Sequence, residues 1–324
     1  MYSIEFLQNK IKQALLSQNF NLNPPQLYNP ISYTISFGGK RMRPVLVLMA
    51  CNLFKENIEK AVLPALGIEM FHNFTLIHDD IMDNAPLRRG KKTVYKKWDT
   101  NIAILSGDTM FALSYKYLIN TEKKVLAQVL KIFNRAAVNV CEGQQYDMNF
   151  ETTNNVSVKN YIEMIRLKTA VLLAASLKIG AVIGGANKQD ADNIYKFGES
   201  IGLAFQLKDD LLDTFGNQKK FGKKIGGDII SNKKTYLYIK AFELAKNKTL
   251  NDLDNCFNNK SIAHNTKIKT VIDIYNKLKI KDITEKKIEY FCARGLEYLN
   301  QIKVKDQRKK ELKSFTKKLM IRNF

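Results

Sequence analysis

Cysteine is scarce in this chain of 324 residues, and Cys51, Cys141, Cys256 and Cys292 stand far apart. No paired spacing is present that would make a zinc site or a disulfide framework, and a reducing cytoplasm is the expected compartment. Long apolar runs are also missing. The longest, such as Pro44 to Phe54 and Ala170 to Leu177, stop well short of the ~20 residues that a membrane span needs. No signal-peptide pattern opens the chain, so a soluble protein without a membrane span is expected. Runs of alternating apolar and polar residues are too short to suggest a sheet, which leaves an all-α fold class. No stretch is long or biased enough to be a linker, and the expectation is one domain over residues 1–324. Acidic residues are in deficit, 31 against 52 Lys and Arg, for a net charge of +21. That excess raises nucleic acid or an anionic membrane as partners. It is spread through surface pairs such as Lys219-Lys220, Lys309-Lys310 and Lys317-Lys318, with no zinc finger, basic zipper or aromatic RNA-binding motif beside it. No specific nucleic-acid partner is expected, and a positive field also draws in small anionic substrates.

The few acids that are present are concentrated. The run from Phe74 to Asp83 reads as an apolar helix that ends in Asp79, Asp80 and Asp83. At about 100° per residue, Asp79 and Asp83 share a face with His72 and Leu76, while Leu66, Met70, Phe74, Ile77 and Ile81 form the opposite stripe. Like charges four residues apart repel by roughly 0.2–0.5 kcal/mol on an exposed helix, so a chain that stacks three carboxylates is expected to offset them with a cation. Magnesium, which favours one or two carboxylates with phosphate oxygens and water, is the candidate. The device recurs as Asp209-Asp210-Leu211-Leu212-Asp213, where Gln206 and the three acids again continue one polar line on an apolar helix. One such pentapeptide is usually a solvated helix end. Two copies, each on a long apolar helix, reverse that reading.

Cations are grouped in separate sets. Gly38-Gly39-Lys40-Arg41-Met42-Arg43-Pro44 puts three of them on a glycine turn before an apolar helix starting near Pro44, a good anion site, to which His72 could add a contact. His78 turns toward the apolar side and reads as structural. After Pro86 come Arg88 and Arg89, whose adjacent side chains point different ways and could hold two phosphate groups. Lys168 sits in an almost wholly apolar helix beside Thr169, where a lysine is costly unless it meets an anion or snorkels to solvent. Downstream of the second acid cluster, Gly222-Lys223-Lys224 and Asn232-Lys233-Lys234 could close over a phosphate as a lid. Two acid clusters, several cation sets and helices rich in Leu, Ile and Phe suit a substrate with a diphosphate head and a hydrocarbon tail.

On these motifs, taken in order over nearly the whole length, the chain resembles the trans-isoprenyl diphosphate synthases. The carrying residues are Gly38-Gly39-Lys40-x-x-Arg43-Pro44, His78-Asp79-Asp80-x-x-Asp83 with Leu87-Arg88-Arg89-Gly90, Lys168-Thr169-Ala170, Phe205-Gln206-x-x-Asp209-Asp210-x-x-Asp213 and Gly222-Lys223. Lys92 and Tyr95 depart from the usual loop after the two arginines. The resemblance implies an isoprenoid synthase bundle, usually a homodimer, with both acid motifs facing a central cavity. It implies three Mg²⁺ per active site, with Asp79, Asp83 and Asp209 as ligands and Asp80, Asp210 and Asp213 in support. Arg88, Lys168, Lys223 and Lys233 match positions that hold the allylic diphosphate, and Lys40, Arg43, His72 and Arg89 match the metal-free pocket for isopentenyl diphosphate. Lys168, Thr169 and Gln206 match catalytic positions beside the reacting carbons, and Phe74 and Thr75 match the positions that set product length. One aromatic with a small neighbour resembles the C20 geranylgeranyl pattern more than the paired aromatics of many C15 farnesyl synthases, which remain the alternative. A class I terpene cyclase, a non-catalytic subunit and a basic binding protein are the other readings. The cyclase lacks support because Asp209 to Asp213 stands where its second metal motif would be.

Overall fold

Helix-forming residues dominate almost every segment, and the computed structural model of the chain is helical nearly throughout. It describes residues 1–153, 155–216, 225–259 and 261–320. The all-α expectation is met, with one small addition at the basic loop after Pro86. There Leu87–Arg88 (β1) and Lys91–Lys92 (β2) pair antiparallel across Arg89 and Gly90. Both turn residues have positive φ, 53° and 75°, the requirement of the tight hairpin turn whose twist matches its strands.

The chain divides into two compact units. One comprises Met1–Asn134, Ala175–Ile194 and Lys303–Glu311; the other comprises Arg135–Ala174, Tyr195–Ile302 and Leu312–Phe324. Helix α1 (Ile4–Leu16), α2 (Pro25–Ser36), α3 (Met42–Phe54), α4 (Glu59–Met82), α5 (Val94–Lys97) and α6 (Thr100–Leu118) follow in order within the first. Apolar side chains cover α3 on all sides, and every residue from Pro44 to Leu53 is buried. At roughly 1.5–3 kcal/mol per buried large aliphatic side chain, α3 is a main source of the unit's stability. It starts at Met42, two residues before Pro44, because Arg41 takes the left-handed conformation at its head. Helix α4 packs against α6. Gly67 of α4 lies on the Ser114 carbonyl, and Gly107 of α6 leaves room for the His78 ring. The long α4 stops after Met82, where Asn84 turns left-handed, one of the few residue types that tolerate it, and Pro86 prevents continuation. Three aspartates are thereby left on its last turn.

Helices α7 (Lys123–Thr152), α9 (Val171–Gly184) and α10 (Lys188–Phe215) contribute residues to both units. In the second unit α8 (Val158–Ile165) runs into a π-helical turn, Arg166–Ala170, and then into α9. The insertion has a visible partner: Gly143 of α7 lies so close to the Leu167–Lys168 backbone that a Cβ would collide with it. Single π turns inside helices are frequent at functional sites. The helical run Val158–Gly184 joins apolar stretches that look separate in sequence, and by length and composition it could cross a membrane. Most of it is buried, as in a core helix. The unit continues with α11 (Gly227–Ile230), α12 (Tyr236–Leu244), α13 (Asn247–Asn258), α14 (His264–Lys277) and α15 (Ile280–Asn300), and α16 (Asp306–Met320) closes the described chain.

Candidate active site

In the first unit, the turn between α2 and α3 is built by Gly38 and Gly39, with φ of 69° and 116°. Gly39 also lies against the Arg89 guanidinium, which a Cβ there would have to displace. Arg41, itself left-handed, donates to the Glu69 carboxylate and to the Ile35 carbonyl. Glu69 is 2% exposed, receives Asn73 Nδ2 at 3.0 Å, and has one oxygen with no hydrogen-bond partner among the described residues. Of the turn's three cations, Arg41 therefore shapes the loop that carries the other two. Lys40 is exposed, and its carbonyl accepts Gln8 Nε2 at 2.9 Å.

Arg43 Nη1 stands 3.0 Å from His72 Nε2. A guanidinium can only donate, so this nitrogen of His72 is the acceptor and the ring is neutral. Burial, reinforced by Arg43, Arg89, Arg88 and Arg41, holds its pKa well below the usual 6.5. The hairpin adds the two adjacent arginines, which diverge. Arg88 reaches α4, with Nε 2.7 Å from Asp80 Oδ1 and Nη2 3.1 Å from Asp79 Oδ2. Arg89 donates to the Gly38 carbonyl. Burial pushes the Asp80 carboxyl up to about 6, although Arg88 pulls the other way.

His78 is structural, as its position on the helix implies. It lies 3.2 Å from the Ile104 carbonyl, against Gly107. Phe74 is partly buried; its ring stacks on Phe111 of α6 at 5.2 Å and stands 5.5 Å from Phe71 and 4.7 Å from His78. Thr75 Oγ1 donates to the His72 carbonyl at 2.8 Å.

In the second unit, the anion that Lys168 requires is supplied by the protein itself: its Nζ is 2.6 Å from Asp147 Oδ2 on α7. Lys233 approaches the same oxygen at 3.8 Å. Burial alone would raise the Asp147 pKa, but the two ammonium groups outweigh it and the carboxyl lies below its ordinary value. Next to Lys168 a line of hydrogen bonds begins. Thr169 Oγ1 donates to Gln206 Oε1 at 3.1 Å, Gln206 Nε2 donates to Asp210 Oδ1 at 3.1 Å, and the Tyr161 hydroxyl donates to Asp210 Oδ2. Asp210 is 4% exposed, and burial, with Asp228 nearby, pushes its carboxyl up to about 8. Asp213 Oδ2 accepts the Asp228 amide at 2.9 Å, and its carbonyl accepts the Gly226 amide at 2.7 Å, so it fixes the start of α11. Asp209, one residue before the buried Asp210, is only partly buried. Gly222, Lys223 and Lys224 lie outside the described residues.

Among the described residues no three His, Cys, Asp or Glu side chains form a closed metal cage. The residues still fit a hard divalent cation. Asp79 and Asp83 stand one helical turn apart, as do Asp209 and Asp213, and all offer oxygen donors. Magnesium takes one or two carboxylates and completes its shell with substrate phosphate and water.

A family model described as polyprenyl synthetase matches residues 24–275. The chain belongs to the polyprenyl synthetase family. The short chain isoprenyl diphosphate synthase of Methanocaldococcus jannaschii is 40% identical over 250 residues, 77% of this chain and 76% of that protein. The geranylgeranyl diphosphate synthase of Sulfolobus acidocaldarius is 35% identical over 285 residues, 87% of this chain and 86% of its own. Among solved structures, a crystal structure of geranylgeranyl pyrophosphate synthase is 40% identical, with a TM-score of 0.95 over 100% of both chains. The resemblance read from the motifs is thus borne out, and the fold is the all-α isoprenoid synthase fold. Membership implies isoprenyl diphosphate substrates and a divalent-metal requirement.

Four contributors escaped the motif reading: Glu69, Asp147, Tyr161 and Phe111. Only Asp147 left a trace in the sequence, because Lys168 in an apolar helix calls for a carboxylate without saying which one.

Proposed function

We infer that this chain is a head-to-tail prenyltransferase that condenses isopentenyl diphosphate with an allylic diphosphate of C5 to C15 and makes mainly C20 geranylgeranyl diphosphate. The observation that carries this reading is the presence, in one polyprenyl synthetase chain, of two intact aspartate clusters together with separate cation sets. Arg88, Lys168, Lys223 and Lys233 hold the allylic diphosphate; Lys40, Arg43, Arg89 and the neutral His72 hold the isopentenyl head group. Mg²⁺, three ions in this reading, carried by Asp79, Asp83 and Asp209 with Asp80, Asp210 and Asp213 in support, supplies charge neutralisation at the leaving diphosphate.

The chain's own cations stabilise the negative charge that builds as the allylic carbon–oxygen bond breaks. Arg43 and Arg89 orient isopentenyl diphosphate so that its double bond attacks the carbocation in line. Thr169 and Gln206 line the reacting carbons with hydrogen-bonded oxygens, which stabilise the passing positive charge. A proton is then lost to the departing diphosphate, since the motifs contain no uncommitted His or Glu. Phe74, braced by Phe111, is the floor for the growing tail, with Thr75 beside it. We read both clusters as serving one reaction in a cytoplasmic homodimer.

The test is incubation of the purified single chain with allylic diphosphate alone and then with isopentenyl diphosphate added. Elongation only in the second case supports the reading. Hydrocarbon release in the first would make the chain a cyclase, and no turnover in either would leave a non-catalytic protein.

A further inference from the structure

Lys233 is a flexible four-carbon ammonium, 46% exposed at its side chain, and fixing such a side chain costs rotamer entropy. Its backbone, however, is held on both sides. Its amide donates to the Asp228 carbonyl at 2.9 Å, and its carbonyl accepts the Thr235 amide at 2.9 Å.

Just upstream, Asn232 is left-handed with φ of 57°. Asn232 Nδ2 donates to the Phe257 carbonyl at 3.2 Å, and its Oδ1 accepts Lys267 Nζ. Lys267 is only 7% exposed, and its ammonium lies 5.0 Å from the centre of the Phe257 ring. Just downstream, Lys234 Nζ donates to the carbonyls of Phe150 at 2.7 Å, Glu151 at 3.4 Å and Thr153. These are orphan acceptors at the end of α7, where the helix dipole also favours a cation. An ammonium has three donors, and here three carbonyls take them.

The helix that Lys234 grips is the one that carries Asp147, three residues before Phe150. Asp147 is the carboxylate shared by Lys168 and Lys233. We propose that Asn232 and Lys234 form a two-sided clamp, closed by Lys267, that sets the Lys233 ammonium at a fixed spacing from Lys168 for the oxygens of one diphosphate. The three are positioning residues and do not touch the substrate. The inference rests on the assignment of Lys233 to the allylic diphosphate made above.

The clamp is tested with Lys234→Met, Lys234→Arg, Lys267→Met, and Asn232→Gly, which keeps the left-handed backbone and removes the side-chain anchors. With isopentenyl diphosphate saturating, Lys234→Met and Asn232→Gly should raise KM for the allylic diphosphate by about tenfold, with a smaller change in kcat, the pattern of lost uniform binding. Lys267→Met should follow Asn232→Gly. KM for isopentenyl diphosphate should stay put, and Lys234→Arg should recover most of the loss. In a Lys233→Ala background, Lys234→Met should add less than about twofold, because the positioned group is gone. Wild-type KM in the anchor variants, equal losses for both substrates, or additivity in the Lys233→Ala background would overturn the proposal. Hydrogen exchange reads the clamp without turnover: the Lys233 amide should exchange about tenfold faster in Lys234→Met and Asn232→Gly. Unchanged protection overturns the clamp whatever the kinetics show, whereas lost protection in a chain whose wild type does not elongate overturns only the assignment of Lys233.

Discussion

Asp80 and Asp210 occupy the same place in two equally spaced aspartate clusters, and each is 4% exposed, yet their neighbours differ in kind. Asp80 is met by the Arg88 guanidinium, which also reaches Asp79. Asp210 is met by a neutral hydroxyl and a neutral amide, from Tyr161 and Gln206. Burial raises both carboxyls, Asp80 to about 6 against the pull of Arg88, and Asp210 to about 8, where Asp228 adds to burial and Tyr161, Gln206 and Lys233 pull the other way. One sequence device is therefore set into two local chemistries. The first cluster brings its own counter-charge from a mobile-length side chain on a hairpin, and the second is fixed in a hydrogen-bonded line that ends at Thr169 in the π turn.

The largest expected effect ignores that difference. Asp79→Ala and Asp209→Ala should each lower turnover by at least about a thousandfold, as should chelation of divalent metal; near-normal rates of either variant in a saturating-magnesium assay would remove it from the metal site. The contrast itself is tested by Arg88→Gln against Tyr161→Phe. Loss of the arginine should cost about 10²–10³ in kcat/KM, the cost of one charge-stabilising donor. Loss of the tyrosine hydroxyl should cost about tenfold in rate and about 1–3 kcal/mol of stability, because Asp210 is left buried with one partner fewer. A larger kinetic loss in Tyr161→Phe than in Arg88→Gln would invert the comparison.

Much of this was legible in the chain. Helix class, both acid clusters and the basic turns follow from periodicity and from charge held in register, which are local properties. His78 was assigned to packing from its angle on the helix, and Gly107 confirms why. The illegible part depends on meetings between distant segments. Glu69 reads as one more helical acid until Arg41 is seen folded onto it, and that contact turns a run of three cations into a shaped loop. Asp147 lies on a polar stretch of α7, and nothing local marks it as the partner of Lys168. The π turn that aims Lys168 depends on Gly143, more than twenty residues earlier. Phe74 and Thr75 stand at length-setting positions in the sequence, but only the folded chain shows Phe111 of α6 stacked on Phe74.

That stacking makes product length the next test. Phe74→Ala should lengthen the product and Thr75→Phe should shorten it, each by one or more isoprene units, as read by chromatography of the dephosphorylated alcohols. An unchanged distribution in both variants, with activity retained, would refute the floor.

The smallest expected effect is on stability. His72 has a folded pKa below its unfolded value of 6.5, so below about pH 6.5 the unfolded chain binds a proton that the native chain refuses. Unfolding is then favoured, and stability falls as pH drops from 7 toward 5, by up to about 1.4 kcal/mol per pH unit for one group. Urea titrations at pH 7 and pH 5.5 should show a smaller drop for His72→Gln than for the wild type; an equal drop would mean that the imidazole is not held neutral.

We propose that the two unlike clusters serve one chain-elongating reaction. It is tested most directly by incubating the purified chain with labelled isopentenyl diphosphate, Mg²⁺ and C5, C10 or C15 allylic primers, and sizing the products. All three primers should be elongated and converge on C20. Failure to incorporate label from any primer would contradict it.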